Sequence, residues 1–235
     1  MRKSRKGREE WKTYKNVFDS FTNRNIHVIA SKGYFDSLTA PLALGKEANI
    51  FLAKKGDDEI VVKIYRLENC NFNAMFNYIN SDPRFLGIDN NKRKVIFAWV
   101  QREYRNLLLA RQKIKVPTPL GFKDNILLME KIGDVAPQLK NKHPKNPEEF
   151  LDKVLKNVVS LYEAGLVHAD LSEFNILNDD EEPVFIDMSQ STTIKDANAK
   201  ELMIRDLKNI SRFFNKLIKV DKEKLVKDVL SQTFK

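Results

Sequence analysis

The chain has 235 residues, 42% apolar and 31% charged, with eight glycines and eight prolines, which fits one large globular domain or two small lobes and excludes collagen-like and low-complexity proteins. A net charge of +9 favours polyanionic partners. No run of about 18 apolar residues occurs, which excludes a membrane-spanning helix, and the basic N-terminus lacks the apolar core of a secretory signal.

In chain order, residues 1–8 read as a basic arm, and Glu9 to about Asn23 predicts a helix, with Trp11, Tyr14, Val17, Phe18 and Phe21 at helical spacing. Residues 1–31 thus form an arm and helix ahead of a first lobe over 32–130. Strands are expected over 49–53 and 59–65, joined by the turn Lys54-Lys55-Gly56-Asp57-Asp58. The single cysteine, Cys70, forms no internal disulfide and fits a reducing cytosol, so a cytoplasmic location is expected. Helices follow over 72–80 and 96–113, separated by an irregular link at Pro83 and Asn91-Lys92-Arg93-Lys94. Pro117 and Pro119 close that region, 126–130 reads as a strand, and 131–136 as a hinge.

The second lobe, 137–235, opens with a helix whose start is written in its residues. Asn146 caps it, Pro147 takes the first position, and Glu149 is placed to return a capping-box bond. Phe150, Leu151, Val154, Leu155, Val158 and Tyr162 make its apolar face, and Gly165 suits the turn after it. A strand at 183–188, a helix over 198–217 and an amphipathic segment at 222–232 complete the chain. The fold class is therefore α+β, with a β-rich first lobe and a mainly helical second one.

The loop between the capped helix and the strand carries the chemistry. It reads Leu166-Val167-His168-Ala169-Asp170-Leu171-Ser172-Glu173-Phe174-Asn175-Ile176-Leu177, and Phe185-Ile186-Asp187 follows. Phosphoryl transfer needs one carboxylate at the attacking hydroxyl, and an amide oxygen and a second carboxylate on the phosphate-bound metal. Asp170, Asn175 and Asp187 supply these in order. His168 reads as an organiser of the loop, because Asp170 already occupies the place of the base.

The first lobe supplies candidates for the nucleotide. Lys63, in Val61-Val62-Lys63-Ile64, is a cation on a buried strand, and Glu103 is its expected acidic partner. A phosphate loop is expected between 41 and 51, with the backbone around Gly45 and the charge of Lys46 facing phosphate. It holds one glycine and is neither G-x-G-x-x-G nor a Walker motif.

Gly-Lys-Glu-Ala-Asn at 45–49, Val-Lys-Ile-Tyr-Arg at 62–66, the 166–175 loop, Phe-Ile-Asp-Met-Ser-Gln at 185–190 and Arg-Asp-Leu-Lys-Asn-Ile-Ser-Arg-Phe-Phe at 205–214 together resemble the RIO family of atypical serine/threonine kinases. Ala169-Asp170-Leu171-Ser172 points to the type-one branch, and Asn71-Phe72, Met75, Tyr78-Ile79 and Asp82-Pro83-Arg84-Phe85 match the family's insert. The resemblance covers roughly residues 32–220. It implies a compact two-lobed protein-kinase-like fold that binds ATP with Mg or Mn. Gly45, Lys46, Glu47, Lys63 and Glu103 would serve the phosphates, and the backbone at Glu130 and Ile132 would serve adenine. Asp170 would be the catalytic carboxylate, Asn175 and Asp187 the metal ligands, and Asp187 also a phosphate acceptor in an ATPase cycle. Family members mature the small ribosomal subunit, so its RNA and protein precursor is the expected partner. A protein hydroxyl, or the chain itself, would accept phosphate. Ala43-Leu44 stand where the family commonly has Ser-Thr, which removes a hydroxyl from the phosphate loop.

Independently of that resemblance, only 48 residues follow Asp187 and no Ala-Pro-Glu occurs, so no activation segment or set of peptide-docking helices is expected. Two other readings share the loop motif. One is a small-molecule phosphotransferase of the aminoglycoside or choline kinase type, disfavoured by the basic tail Lys216, Lys219, Lys222, Lys224 and Lys227. The other is a non-catalytic protein docking RNA or the ribosome, which intact Lys63, Asp170, Asn175 and Asp187 disfavour.

Overall fold

The computed structural model of the chain describes residues 18–68 and 70–234. The basic arm and most of the helix expected from Glu9 onward lie outside them. Two units divide the chain. The first runs to Gln101 and takes in Pro119–Lys131; the second comprises Arg102–Thr118 and Ile132–Lys235. The division is not a single cut at 131–136, because half of one long helix and the segment after it belong with the second unit.

In the first unit, helix α1 spans Ser20–Ser31. Asp19 caps it, its carboxylate accepting from the Phe21 and Thr22 amides at 2.9 Å each. Among the described residues the expected helix does not pass through 18–19: a helix is capped at Asp19, begins at Ser20 and runs on to Ser31, because Thr22, Asn25, Ile26 and Ile29 form its buried stripe. An antiparallel five-stranded sheet follows: β1 (Ser37–Leu44), β2 (Ala48–Lys55), β3 (Asp58–Tyr65), β4 (Pro119–Lys123) and β5 (Ile126–Glu130), in the order β1-β2-β3-β5-β4. The turn between β2 and β3 places Gly56 at φ 62°, a backbone that glycine adopts without strain.

Strand β1 was not expected, and most of the anticipated 41–51 phosphate loop is strand. It hides from sequence patterning because it is an edge strand with Pro41, two register shifts and an outer half exposed on both faces. Phe18, Phe35, Phe51, Val62, Ile64 and Leu128 are part of one core against the sheet. Helices α2 (Phe72–Ser81) and α3 (Lys92–Ala110) come next. The second starts four residues earlier than expected, because Val95, Ile96 and Ala98 are already buried.

Asn125 fastens the first unit from within. Fully buried, its side-chain amide donates to Thr22 Oγ1 of α1 at 2.9 Å and to the Tyr65 carbonyl of β3 at 2.8 Å.

The second unit holds α4 (Pro147–Glu163), β6 (Leu166–Val167), β7 (Ile176–Asp179), β8 (Glu182–Phe185), β9 (Thr192–Thr193), α5 (Ala199–Phe214) and α6 (Lys222–Gln232). Two ribbons, β6 with β9 and β7 with β8, frame its loops. Helix α4 begins as its sequence requires, with Asn146 accepting from the Glu149 amide at 3.2 Å. The return bond to Glu149 comes from the Asn146 side chain at 3.3 Å rather than from its backbone. Leu161, not Tyr162, completes the buried stripe. Phe213 and Phe214 are buried, with Phe214 stacked on Phe150 at 6.4 Å. Helix α5 stops at Phe214, three residues short of the expected end. No helix among the described residues is long and apolar enough to cross a membrane.

Replacing Asn125 by Ala removes both side-chain hydrogen bonds, to Thr22 and to the Tyr65 carbonyl, and should destabilise the protein by about 2 kcal/mol. Urea unfolding monitored by Trp fluorescence measures it.

Candidate active site

The loop over 168–175 leaves β6 in a backbone that most residues avoid: Ala169 has φ 63°. Two side chains of α5 hold it there. The buried Asp206 carboxylate accepts the Ala169 amide at 2.8 Å and the Leu171 amide at 3.0 Å. Arg205 donates to the Ala169 carbonyl, and Asn209 to that of Leu171 at 3.4 Å. The residue between the two clamped amides is Asp170. Burial pushes Asp206 up to about 7, against the pull of both amides and Arg205.

The loop's far shoulder is tied to residues 138–140. The Leu139 amide donates to the Ile176 carbonyl at 2.8 Å, Lys140 N–H to the Glu173 carbonyl at 3.1 Å, and Gln138 Nε2 to the Phe174 carbonyl at 2.7 Å. Asn175 folds back on the loop, its Nδ2 donating to the Asp170 carbonyl at 2.8 Å and to Asp170 Oδ2 at 3.2 Å. With Nδ2 so occupied, its Oδ1 is the atom left to act as an oxygen ligand.

The loop after β8 is built the same way. Asp187 has φ 58°, and Ser189 Oγ donates to Asp187 Oδ1 at 2.7 Å. From α3, the fully buried Arg102 guanidinium donates to the Ser189 carbonyl at 2.8 Å. Asn106 Nδ2 donates to the Met188 and Ser191 carbonyls at 2.9 Å each. The two loops are then joined directly. Ile186 N–H donates to the Asn175 carbonyl at 3.0 Å, and Ser191 Oγ to the His168 carbonyl at 3.1 Å.

His168 makes the third join, with Nε2 at 3.1 Å from the Ile186 carbonyl. Its Nδ1 is buried without a hydrogen-bond partner, so the neutral ring with the proton on Nε2 is the form that fits. Burial pushes this imidazole down to about 4. The buried residue bridges the two loops through its ring and its carbonyl.

Asp170, Asn175 and Asp187 are thus brought together. Burial raises Asp170 above the ordinary carboxylate range, and the neighbouring Asp187 charge raises it further. Two carboxylates and an amide oxygen fit a magnesium-type ion, which takes oxygen ligands and shares its shell with phosphates. No cluster of three His, Cys, Asp or Glu residues among the described residues makes a separate metal site.

The remaining predicted residues divide between the units. Lys63 is buried on β3, its Nζ 5.1 Å from the Tyr65 ring centroid, and Glu130 ends β5; both belong to the first unit. Glu103, buried on α3, and Ile132 belong to the second. Gly45, Lys46 and Glu47 form the exposed turn between β1 and β2. A Cβ on Gly45 would stand 2.8 Å from the Ala48 carbonyl oxygen, which accounts for the glycine. The Gly45 amide is engaged by that same oxygen at 3.0 Å.

A family model described as RIO domain matches residues 49–226. The chain belongs to the RIO family. It is 38% identical over 216 residues to the RIO-type serine/threonine-protein kinase Rio1 of Haloferax volcanii, covering 90% of this chain and 74% of that one. Identity to the protein of the same description in Methanocaldococcus jannaschii is 39% over 220 residues, with 92% and 76% covered. In fold it resembles the Rio2 kinase of Chaetomium thermophilum (TM-score 0.70, 21% identity, 88% of this chain and 66% of that one). The ADP/Mg2+-phosphoaspartate complex of the same kinase aligns with a TM-score of 0.68 at 21% identity, over 91% of this chain and 66% of that one. The kinase-like α+β fold expected from the sequence is therefore the fold of this RIO kinase.

Sequence reasoning missed Arg102, Asn106 and Asp206 as parts of this RIO site. One sign was available for Asp206. It lies on the apolar stripe of α5 with Met203, Leu207 and Ile210, where an unpartnered carboxylate would be costly.

Asp206→Asn removes one of the two acceptors and should lower kcat roughly 10- to 100-fold with little change in KM for ATP, as Asp170 loses its position. Steady-state kinetics with a thermal unfolding control reads this out. His168 gives a pH signature. Its folded value lies below the unfolded 6.5, so its contribution to stability is present above pH 6.5 and lost as pH falls through about 4. Wild type should lose on the order of 3 kcal/mol more over that interval than His168→Gln, in urea titrations at each pH.

Proposed function

We propose that this RIO kinase transfers the γ-phosphate of ATP, with Mg, to a hydroxyl held by Asp170. The observation that carries the reading is the joining of two loops so that Asp170, Asn175 and Asp187 face one another within a bonded frame. A carboxylate raised by burial is a stronger proton acceptor than an ordinary one, which suits the acceptance of the hydroxyl proton by Asp170 as the oxygen attacks phosphorus. Asn175 Oδ1 and the Asp187 carboxylate are the proposed metal ligands. When bound, the metal neutralises charge on the phosphate oxygens.

Lys46 and Lys63 are the cations assigned to the phosphates, with Gly45, Glu47 and Glu103 in supporting roles, and the backbone at Glu130 and Ile132 is assigned to adenine. These roles rest on the family resemblance. The proposed setting is maturation of the small ribosomal subunit, with its RNA and protein precursor as partner. The resemblance and the basic clusters support it.

A second reading draws on the phosphoaspartate in the Rio2 kinase complex. Here a carboxylate oxygen of Asp187 attacks the γ-phosphorus, ADP leaves, and water cleaves the acyl phosphate to regenerate the carboxylate.

Following the label of [γ-32P]ATP with Mg, with and without small ribosomal subunits, separates the two. Label stable to hydroxylamine on serine or threonine supports transfer to a hydroxyl. Hydroxylamine-labile label that is lost in Asp187→Asn and appears as free phosphate supports the cycle through Asp187. Asp170→Asn should reduce hydroxyl transfer by roughly a hundredfold or more. Absence of turnover in wild type would refute both readings.

A further inference from the structure

Phe174 is the one large apolar side chain of the 168–175 loop that the folded structure leaves outside, with half of its surface exposed. It stands four residues after Asp170 and directly before Asn175. Exposure of this kind in a mobile loop would be unremarkable. Here, however, its carbonyl accepts from Gln138, the carbonyl before it accepts from Lys140, and Asn175 after it is bonded to Asp170. The ring is held on a fixed backbone and contributes little to any core.

Lys140 completes the feature. Its Nζ lies 4.6 Å from the Phe174 ring centroid, on the segment that ties down the loop. The contact orients the ammonium beside the ring while leaving it exposed. Around the same loop α5 presents Arg205, bonded to Ala169, and Arg212, bonded to the Asn209 that reaches Leu171. Both arginines are exposed. The 168–175 loop, which carries Asp170 and the half-buried Glu173, is thus flanked by an exposed apolar ring and three exposed cations.

We propose that Phe174 and Lys140 form the acceptor-recognition platform of this RIO kinase, selecting a serine or threonine flanked by aspartate or glutamate. The flanking carboxylate pairs with Lys140, and the stem of the acceptor segment lies on the Phe174 ring. Charge complementarity selects acidic over basic flanks. A nucleic acid would need the same cations, but no second exposed aromatic stands beside Phe174 among the described residues of the loop to continue a stack of bases. The inference rests on the phosphoryl-transfer reading above.

The test compares kcat/KM for a serine peptide flanked by aspartates with that for a matched peptide flanked by lysines, in wild type, Lys140→Glu and Phe174→Ala. ATP turnover and thermal unfolding are measured in parallel. Wild type should prefer the acidic peptide, and Lys140→Glu should shift the acidic-to-basic ratio by roughly fivefold or more towards the basic one. Phe174→Ala should weaken both peptides through KM. The ratio is internal to each variant, so a general loss of activity does not imitate it. ATP turnover with an unchanged ratio in Lys140→Glu, or with no peptide phosphorylated by wild type, overturns the platform and leaves the phosphoryl-transfer reading standing. Competition by single-stranded RNA that depends on Phe174, with no discrimination between peptides, would also overturn it and assign the face to nucleic acid. Absence of any ATP turnover in wild type would overturn both.

Discussion

A single buried carboxylate sets the geometry of the loop that carries Asp170. Asp206 takes the amides on either side of Asp170, and Ala169 stays in the left-handed region because those bonds, with Arg205 on its carbonyl, over-determine it. A non-glycine residue at positive φ costs on the order of 1 kcal/mol or more. Such strain persists only where its surroundings hold it, and here they belong to one helix. Helix α5 thus acts as a backboard: its apolar stripe packs into the core, and the one carboxylate on that stripe fixes the loop.

The second loop repeats the device with different chemistry. Asp187 is also at positive φ, and α3 reaches the carbonyls that follow it through Arg102 and Asn106. His168, Ile186, Asn175 and Ser191 then bond the loops to each other. The consequence is electrostatic as well as geometric. Two carboxylates are held close enough for one to raise the other, at the place where an amide oxygen is also available. Two neighbouring carboxylates and an amide oxygen are the ligand types that a magnesium-type ion takes, and phosphoryl transfer relies on positioning and charge stabilisation of this kind.

How far the sequence can be read depended on whether a feature is local. Asn146, Pro147 and Gly165 specify where α4 starts and stops, and the bounds of β5 and α6 follow from patterning alone. Asp170, Asn175 and Asp187 were legible because their spacing is fixed by a loop and a ribbon. Edge strand β1 was not legible, since its outer half is exposed on both faces and carries no alternation. The clamps were not legible either. Asp206 meets its amides 35 and 37 residues away, and Arg102 meets Ser189 across 87 residues. Buried polar anchors of this kind are chosen by tertiary structure, and their only trace in sequence is a charged residue on an apolar face.

Asn175 and Asp187 are the proposed ligands of one metal–nucleotide site. Paramagnetic broadening tests this directly. With Mn2+ and a non-hydrolysable ATP analogue, the NMR signals of the Asn175 side-chain amide and the Asp187 backbone amide should broaden first, and Asp187→Asn should weaken the effect at Asn175. Broadening centred elsewhere, with Asn175 and Asp187 unaffected, would contradict the account.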